Sequence, residues 1–147
     1  MKIRTLITFI ILFSIAKLQA AEYSFDVSLT LLEPLVISET RPLIFPANPI
    51  GEQVIKVATD SSSAGQFSIT GSKSAQVSVS ISNITLTNGK SVIEIDSWDI
   101  KDHNQNKVTS IDDSGSLKIN VGASAHIDKK DSIGTYSGTA KLAIVYN

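Results

Sequence analysis

The stretch GTYSGTAKLAIVYN, residues 134–147, alternates regularly from Tyr136 onward. Successive side chains of a strand point to opposite faces, so this pattern predicts a β-strand with one face on a core. The other face starts polar and ends apolar at Ala143 and Val145. A strand this apolar is not expected at an open sheet edge, because such an edge recruits other chains. Either another part of the chain covers it, or recruitment is its role. The core-facing positions are Tyr136, Gly138, Ala140, Leu142, Ile144 and Tyr146.

A second regular alternation stands near the other end of the chain, in residues 23–31 (YSFDVSLTL). Polar residues fill the positions between the apolar ones, so this segment also predicts a strand with one apolar face. It ends at Glu33 and Pro34, because proline cannot donate to a ladder. The apolar face consists of Tyr23, Phe25, Val27, Leu29 and Leu31.

The intervening sequence predicts further short strands at residues 53–58, 67–69, 75–81, 84–86, 93–100 and 117–127. The phase of the alternation slips near Ser82 and again between Ile95 and Trp98, which predicts bends or bulges there. Asn88-Gly89 predicts a hairpin turn, and residues 112–115 predict a second turn. Beyond residue 20 no segment has a helical period. We therefore expect an all-β, immunoglobulin-like antiparallel β-sandwich.

Residues 1–20 have the order of a secretory signal peptide: Lys2 and Arg4, an apolar run, then small residues before Ala21. We expect their removal, followed by an N-terminal extension at residues 21–33 and a single sandwich domain at residues 34–147. The remaining 127 residues carry 10 basic and 14 acidic side chains, a balance that argues against nucleic acid as a partner. The chain has no cysteine, so packing or a partner must hold the domain.

The sequence offers no catalytic constellation, so we predict neither enzymatic activity nor a cofactor. His103 and His126 have no metal-ligand spacing, and no G-x-S-x-G occurs. One loop partly matches a Ca²⁺ loop, with ligand types at its first, third, fifth and twelfth places. Lys107 stands where such a loop needs glycine, so we predict no metal site. The four matching residues are Asp102, Asn104, Asn106 and Asp113.

Trp98 is the single tryptophan. Its indole ring is suited to stacking on a sugar, as in a glycan-binding module. It is also suited to packing in a core, because tryptophan supplies a large buried area. The sequence favours the core.

Residues 134–147 resemble the end of pilin subunits of the bacterial chaperone–usher pathway. Those subunits end in an alternating strand with a penultimate tyrosine, here Tyr146, and a glycine fourteenth from the end, here Gly134. They lack one strand of their sandwich, and each lends its N-terminal extension to a neighbour. By this resemblance, the candidate donor strand is the apolar set Tyr23, Phe25, Val27, Leu29 and Leu31. The candidate acceptor and chaperone-binding strand is Gly134, Tyr136, Ala140, Leu142, Ile144 and Tyr146.

The chain also resembles a family of small secreted bacterial β-domains related to fimbrial subunits. The similar stretches are LEPLVISETRPLIF, GQFSITG, LKINVGASAHID and GTYSGTAKLAIVY. The chain departs from that pattern at Phe45, which Pro46 follows where the family usually has glycine. It also lacks the disulfide that many chaperone–usher pilins carry.

These resemblances imply a structural pilin-like subunit of a bacterial surface fimbria, completed by a donated strand. The implied partners are other copies or related pilins, a periplasmic chaperone and an outer-membrane usher. The implied location is the periplasm in transit, then the cell surface or the medium. The alternative is a stand-alone secreted sandwich that acts in cell adhesion by binding a glycan or a host protein. The sequence leaves open whether residues 23–31 pair within one chain or with a neighbour.

Overall fold

The computed structural model describes residues 22–48, 51 and 53–147, so the predicted signal peptide lies outside the described residues. The chain divides into two units, Met1–Thr30 and Leu31–Asn147. In the first unit, residues 22–30 have no regular secondary structure. The strand predicted for residues 23–31 is therefore absent, and its apolar side chains are exposed.

The second unit is built from strands alone within its described residues, and it contains no helix there. Accordingly, the described part of the chain holds no helix of the length and hydropathy that a membrane crossing needs. The strands are β1 (Val36–Arg41), β2 (Gln53–Val57), β3 (Gly65–Thr70), β4 (Val77–Ile81), β5 (Thr85–Thr87), β6 (Val92–Asp102), β7 (Ser116–Ile127) and β8 (Leu142–Tyr146).

The larger sheet has the order β1-β3-β7-β6-β5, with β2 also pairing with β7. All its pairs are antiparallel. The long strand β7 pairs with β3 up to Val121 and with β2 from Ala123 onward. Gly122 stands at this change of partner. A Cβ there would overlap the backbone oxygen of Val57 and lie 3.1 Å from the nitrogen of Thr59.

The smaller sheet consists of β4 and β8. Residues 77–87 and 137–146 nevertheless run alongside each other from one sheet into the other. Val77 pairs with Tyr146 and Ile81 with Leu142, and Thr87 then forms an isolated bridge with Ser137 after a register shift of one residue. The bend lies at residues 82–84, where the sequence phase predicts one. The phase slip after Ile95 also corresponds to an observed irregularity, between Ile95 and Ser97.

Apolar side chains between the two sheets form two core clusters. The first centres on Ile69, Ile111 and Ile119, which are fully buried. The second contains Ile93 and Ile95 with two alanines of β7. Trp98 packs against both clusters, as the sequence favours. The predicted all-β antiparallel β-sandwich is thus confirmed.

The last predicted strand is shorter than the alternation suggests. The ladder covers Leu142–Tyr146, whereas residues 134–141 form only the bridge at Ser137. The prediction of one strand from Tyr136 onward is therefore wrong. The cause is the bend between the sheets, which brings Gly138 so close to β5 that a Cβ would lie 2.5 Å from the oxygen of Thr85.

Both predicted turns are present. Asn88-Gly89 joins β5 to β6, with Gly89 at φ 81°. In the second turn, the Asp112 carboxylate accepts hydrogen bonds from the Ser114 hydroxyl and from the backbone N–H groups of Ser114 and Ser116. These bonds, the Ser114 hydroxyl first, lower the pKa of Asp112. The carboxylate therefore stays ionised and holds the turn that opens β7.

The close approach at Gly122 generates a stability prediction. Gly122→Ala should destabilise the domain by about 1–3 kcal/mol, because backbone cannot yield to a methyl group as a flexible side chain does. Ser124→Ala, two residues along β7, is the matched control and should change stability by less than about 0.5 kcal/mol. Urea unfolding of both variants measures the difference. Equal midpoints for the two variants would contradict the packing described for Gly122.

Candidate functional site: the open seam between β1 and β8

Strand β8 has a ladder on one side only within the described residues. The Asn147 N–H donates to the Gln76 carbonyl at 3.1 Å, and the Lys141 carbonyl accepts from the Ser82 N–H at 3.1 Å. Hydrogen-bonded and non-hydrogen-bonded pairs alternate along an antiparallel ladder. The backbone groups of Leu142, Ile144 and Tyr146 therefore face away from β4.

Strand β1 is the other end of the fold, because its one ladder in the described residues joins it to β3. The larger sheet runs from β1 to β5, and the bent pair of segments then continues to β8. The sheets thus curl around the core, and β1 and β8 each have a ladder on one side only in the described residues. No backbone hydrogen bond between β1 and β8 occurs in the described part of the chain. We call this gap between β1 and β8 the seam.

One end of the seam is closed by the side chain of Tyr146. Its hydroxyl donates to the Glu33 carbonyl at 2.8 Å and accepts from the Ser72 N–H at 2.7 Å. The Ser72 hydroxyl in turn accepts from the Glu33 N–H at 2.6 Å. We call these three bonds the Tyr146 bridge. It joins the residues before β1 to the end of β8, so β1 and β8 run in opposite directions along the seam.

The Tyr146 bridge depends on a glycine. A Cβ at Gly71 would overlap the Tyr146 hydroxyl and lie 2.9 Å from the Cδ2 atom of Leu35. The packing is therefore tight at this end. Because a side chain makes the connection, β1 and β8 remain unpaired although they approach each other here.

The other end of the seam opens into a cavity of about 1000 Å³. It extends from the end of β1 to the start of β8 and reaches Trp98. Its described lining is mainly apolar; the charged side chains in it are Glu39 and Asp131, and it contains no basic side chain. The chemistry suits an apolar occupant and disfavours an anion. Aromatic and large aliphatic lining residues include Leu43, Phe45, Ile84, Leu86, Trp98 and Tyr136.

The core is covered unevenly around the seam. The larger sheet contributes Ile69 and Ile119, which are both 0% exposed. On β8 the inward residues Leu142, Ile144 and Tyr146 are only half-buried, although they pack on the same cluster. The core is therefore less well covered on the β8 side of the seam than on the side of the larger sheet.

The segment before β8 lies along the cavity and is tied to the β5–β6 turn. The Tyr136 hydroxyl donates to the Ser132 carbonyl at 2.8 Å and also contacts the Ser91 hydroxyl. The Asn88 amide donates to the Ser132 hydroxyl at 3.1 Å. Gly134 lies against Asn88, where a Cβ would be 2.9 Å from its amide nitrogen.

The predicted acceptor residues therefore fall along one path. Gly134, Tyr136, Ala140 and Leu142 line the cavity, while Ile144 and Tyr146 continue to the closed end. The predicted donor residues are all largely exposed: Tyr23 89%, Phe25 75%, Val27 80%, Leu29 83% and Leu31 84%. Their role as a donor strand stays a prediction.

The two carboxylates among the candidate calcium ligands have other hydrogen-bond partners. The Asp102 carboxylate accepts from the backbone N–H groups of Asn104 and Asn106 at 2.8 Å each. Asp113 accepts from the Ser74 hydroxyl at 2.5 Å. Within the described residues no group of three or more His, Asp or Glu side chains is arranged to hold a metal ion.

Sequence reasoning missed the parts of the site that lie between elements. The sequence predicts only that Glu33 ends the N-terminal alternation, and it assigns Gly71 and Ser72 to no site, although the three residues form the closed end with Tyr146. Residues 43–45 (LIF) are an apolar piece too short to predict a strand, and they line the cavity.

The fold is an antiparallel β-sandwich in which β1 and β8 are not paired with each other. The chain belongs to a family described as a domain of unknown function (DUF4402), whose model matches residues 50–146. The match covers about two thirds of the chain and begins after β1. No curated protein matches the chain.

Two neighbouring residues of β8 test the description of the seam. Ile144 faces the core and Val145 is 57% exposed. Ile144→Ala should lower the free energy of unfolding by about 1–3 kcal/mol, at or below the low end of the range of about 2–5 kcal/mol for such changes in a core, because the residue is half-buried. Val145→Ala should change it by less than about 0.5 kcal/mol. Urea unfolding of the two variants measures both values, and a larger loss for Val145→Ala would reverse the assignment of faces.

Proposed function

We propose that this protein is a structural, pilin-like subunit of a bacterial surface fimbria. In this proposal, residues 23–31 of one copy fill the seam of the next, and repetition of this step builds a fibre. One observation supports this proposal most directly. The same chain has both an unpaired strand edge and an exposed segment with alternating apolar residues. Such strand addition combines backbone hydrogen bonds with side chains that enter pockets at alternate positions.

The dimensions and chemistry of the segment support this pairing. A nine-residue strand spans about 30 Å. Its five apolar side chains share one face, so a strand in the seam would direct all of them at the half-covered core. Asp26 stands on the opposite face, away from a cavity that contains acidic but no basic lining residues.

The energetic scale also supports the proposal. Burying each apolar side chain contributes about 1.5–3 kcal/mol. Five of them give an upper bound of roughly 7–15 kcal/mol before the cost of ordering the segment. Small domains have total stabilities of about 5–15 kcal/mol. A subunit with an empty seam is therefore marginal, and this is the physical reason for a chaperone that fills the seam during export.

The remaining parts of the proposal follow from the sequence. Export by residues 1–20 delivers the subunit to the periplasm, where a chaperone and an outer-membrane usher are the proposed partners. The destination is a fimbria at the cell surface. Absence of enzymatic activity and of a cofactor remains a prediction. For the alternative, a glycan-binding or host-protein-binding module, the candidate residue is Trp98, which packs against both core clusters and also lines the cavity.

Rescue by a peptide tests the proposed strand addition. A chain that begins at Leu32 should be less stable than the full chain, and a peptide of residues 23–31 should restore its stability. Binding should also change the fluorescence of Trp98, the single tryptophan, because Trp98 lines the cavity. Urea unfolding with and without the peptide, together with the fluorescence titration, measures both effects.

Two altered peptides provide matched controls. A peptide with Phe25→Asp and Leu29→Asp places charge on the apolar face and should not bind. A peptide with Asp26→Asn and Ser28→Ala alters only the other face and should bind as well as the original. A shortened chain that is as stable as the full chain and ignores all three peptides would rule out strand addition.

A further inference from the structure

We propose that the Tyr146 bridge prevents residues 23–31 from filling the seam of their own chain and so commits them to a second copy. The inference rests on the proposed function, because it concerns the same seam and the same segment. It answers the question that the sequence leaves open, namely whether the segment pairs within one chain or between chains. Two independent observations carry it: the hydrogen bonds of Glu33 and the composition of residues 32–35.

The connection between the segment and β1 is short. Leu31 is the last apolar residue of the segment, and β1 begins at Val36. To lie beside β1 in its own chain, the segment must reverse direction within residues 32–35. This reversal is a β-hairpin with a very short loop. A segment from a second copy needs no such reversal.

The residues of this connection are unsuited to a hairpin. Ile37 of β1 lies opposite the fully buried Ile69 of β3 and therefore faces the core. The apolar residues of the segment reach this face when Leu29 lies opposite Ile37, which leaves a three-residue loop at residues 32–34. Such a loop ends in a residue with positive φ, usually glycine. This chain uses such residues where it forms a hairpin, at Asn88-Gly89, with Gly89 at φ 81°. Residues 32–35 are leucine, glutamate, proline and leucine. Pro34 has φ fixed near −65° and no N–H to donate.

The backbone of Glu33 is also already engaged. Its N–H donates to the Ser72 hydroxyl at 2.6 Å, and its carbonyl accepts from the Tyr146 hydroxyl at 2.8 Å. A turn at this point changes the direction of the Glu33 N–H relative to its carbonyl, so the two bonds could not both be kept. The Tyr146 hydroxyl would then no longer be held in position to accept the hydrogen bond from the Ser72 N–H. Self-closure thus opposes the contacts that close the end of the seam.

The test converts the connection into a hairpin turn. In the full chain, Glu33→Asn combined with Pro34→Gly supplies the turn residues that the connection lacks and removes the proline. We expect the unchanged chain to form multimers and this variant to shift to a monomer, as measured by light scattering after size-exclusion chromatography. The matched control, Glu33→Ala with Pro34→Ala, removes the same two side chains without supplying a turn and should remain multimeric.

A disulfide identifies the pairing within the monomer. The chain has no cysteine, so Ser28→Cys and Ser38→Cys introduce the only thiols. A three-residue turn at positions 32–34 places positions 28 and 38 opposite each other on the face away from the core. In the hairpin variant we expect a disulfide within one chain on a non-reducing gel. A second variant, Tyr146→Phe, keeps the ring, removes both hydroxyl bonds and should raise the monomer fraction.

The outcomes separate the inference from the function on which it rests. Multimers from the unchanged chain, together with multimers from both the hairpin variant and Tyr146→Phe, would overturn this inference and leave strand addition intact. A hairpin variant that is monomeric but forms no disulfide within the chain would also overturn it. A strictly monomeric unchanged chain at high concentration would instead overturn the proposed function.

Discussion

The unpaired backbone along β8 is the constraint on which the rest of this structure depends. The backbone groups of Leu142, Ile144 and Tyr146 face away from β4, and their side chains leave the core half-covered. Apolar edges attract other strands, so this edge is the place at which the proposed strand addition acts. The cavity, the Tyr146 bridge and the proposed assembly each follow from the position of this edge opposite β1.

The fold reaches this edge through close approaches of backbone to backbone. Gly122 lets β2 and β3 share one side of β7, and Gly138 lets the segment before β8 lie against β5. The paired segments at residues 77–87 and 137–146 can then bend from one sheet into the other, which carries β8 around the core. The Tyr146 bridge fixes where this curl ends, because it holds β8 to the residues that enter β1.

The local features of the fold were predictable because they are written in neighbouring residues. Alternation at residues 117–127, the Asn88-Gly89 turn and the phase slips near Ser82 and Ile95 correspond to β7, a hairpin and two irregularities. The length of β8 was not predictable, because residues 134–141 keep their alternation while the bend interrupts their ladder. The contacts of Glu33, Gly71 and Ser72 with Tyr146 were also hidden, since they join positions far apart in the sequence.

Amide hydrogen exchange along β8 tests the central claim most directly. In a chain that begins at Leu32, the account predicts fast exchange at Leu142, Ile144 and Tyr146, and slow exchange at Ala143 and Val145, whose N–H groups face β4. A bound peptide of residues 23–31 should slow the first three amides and leave the other two unchanged. Slow exchange at Leu142, Ile144 and Tyr146 before the peptide is added, or fast exchange after it binds, would contradict the open seam.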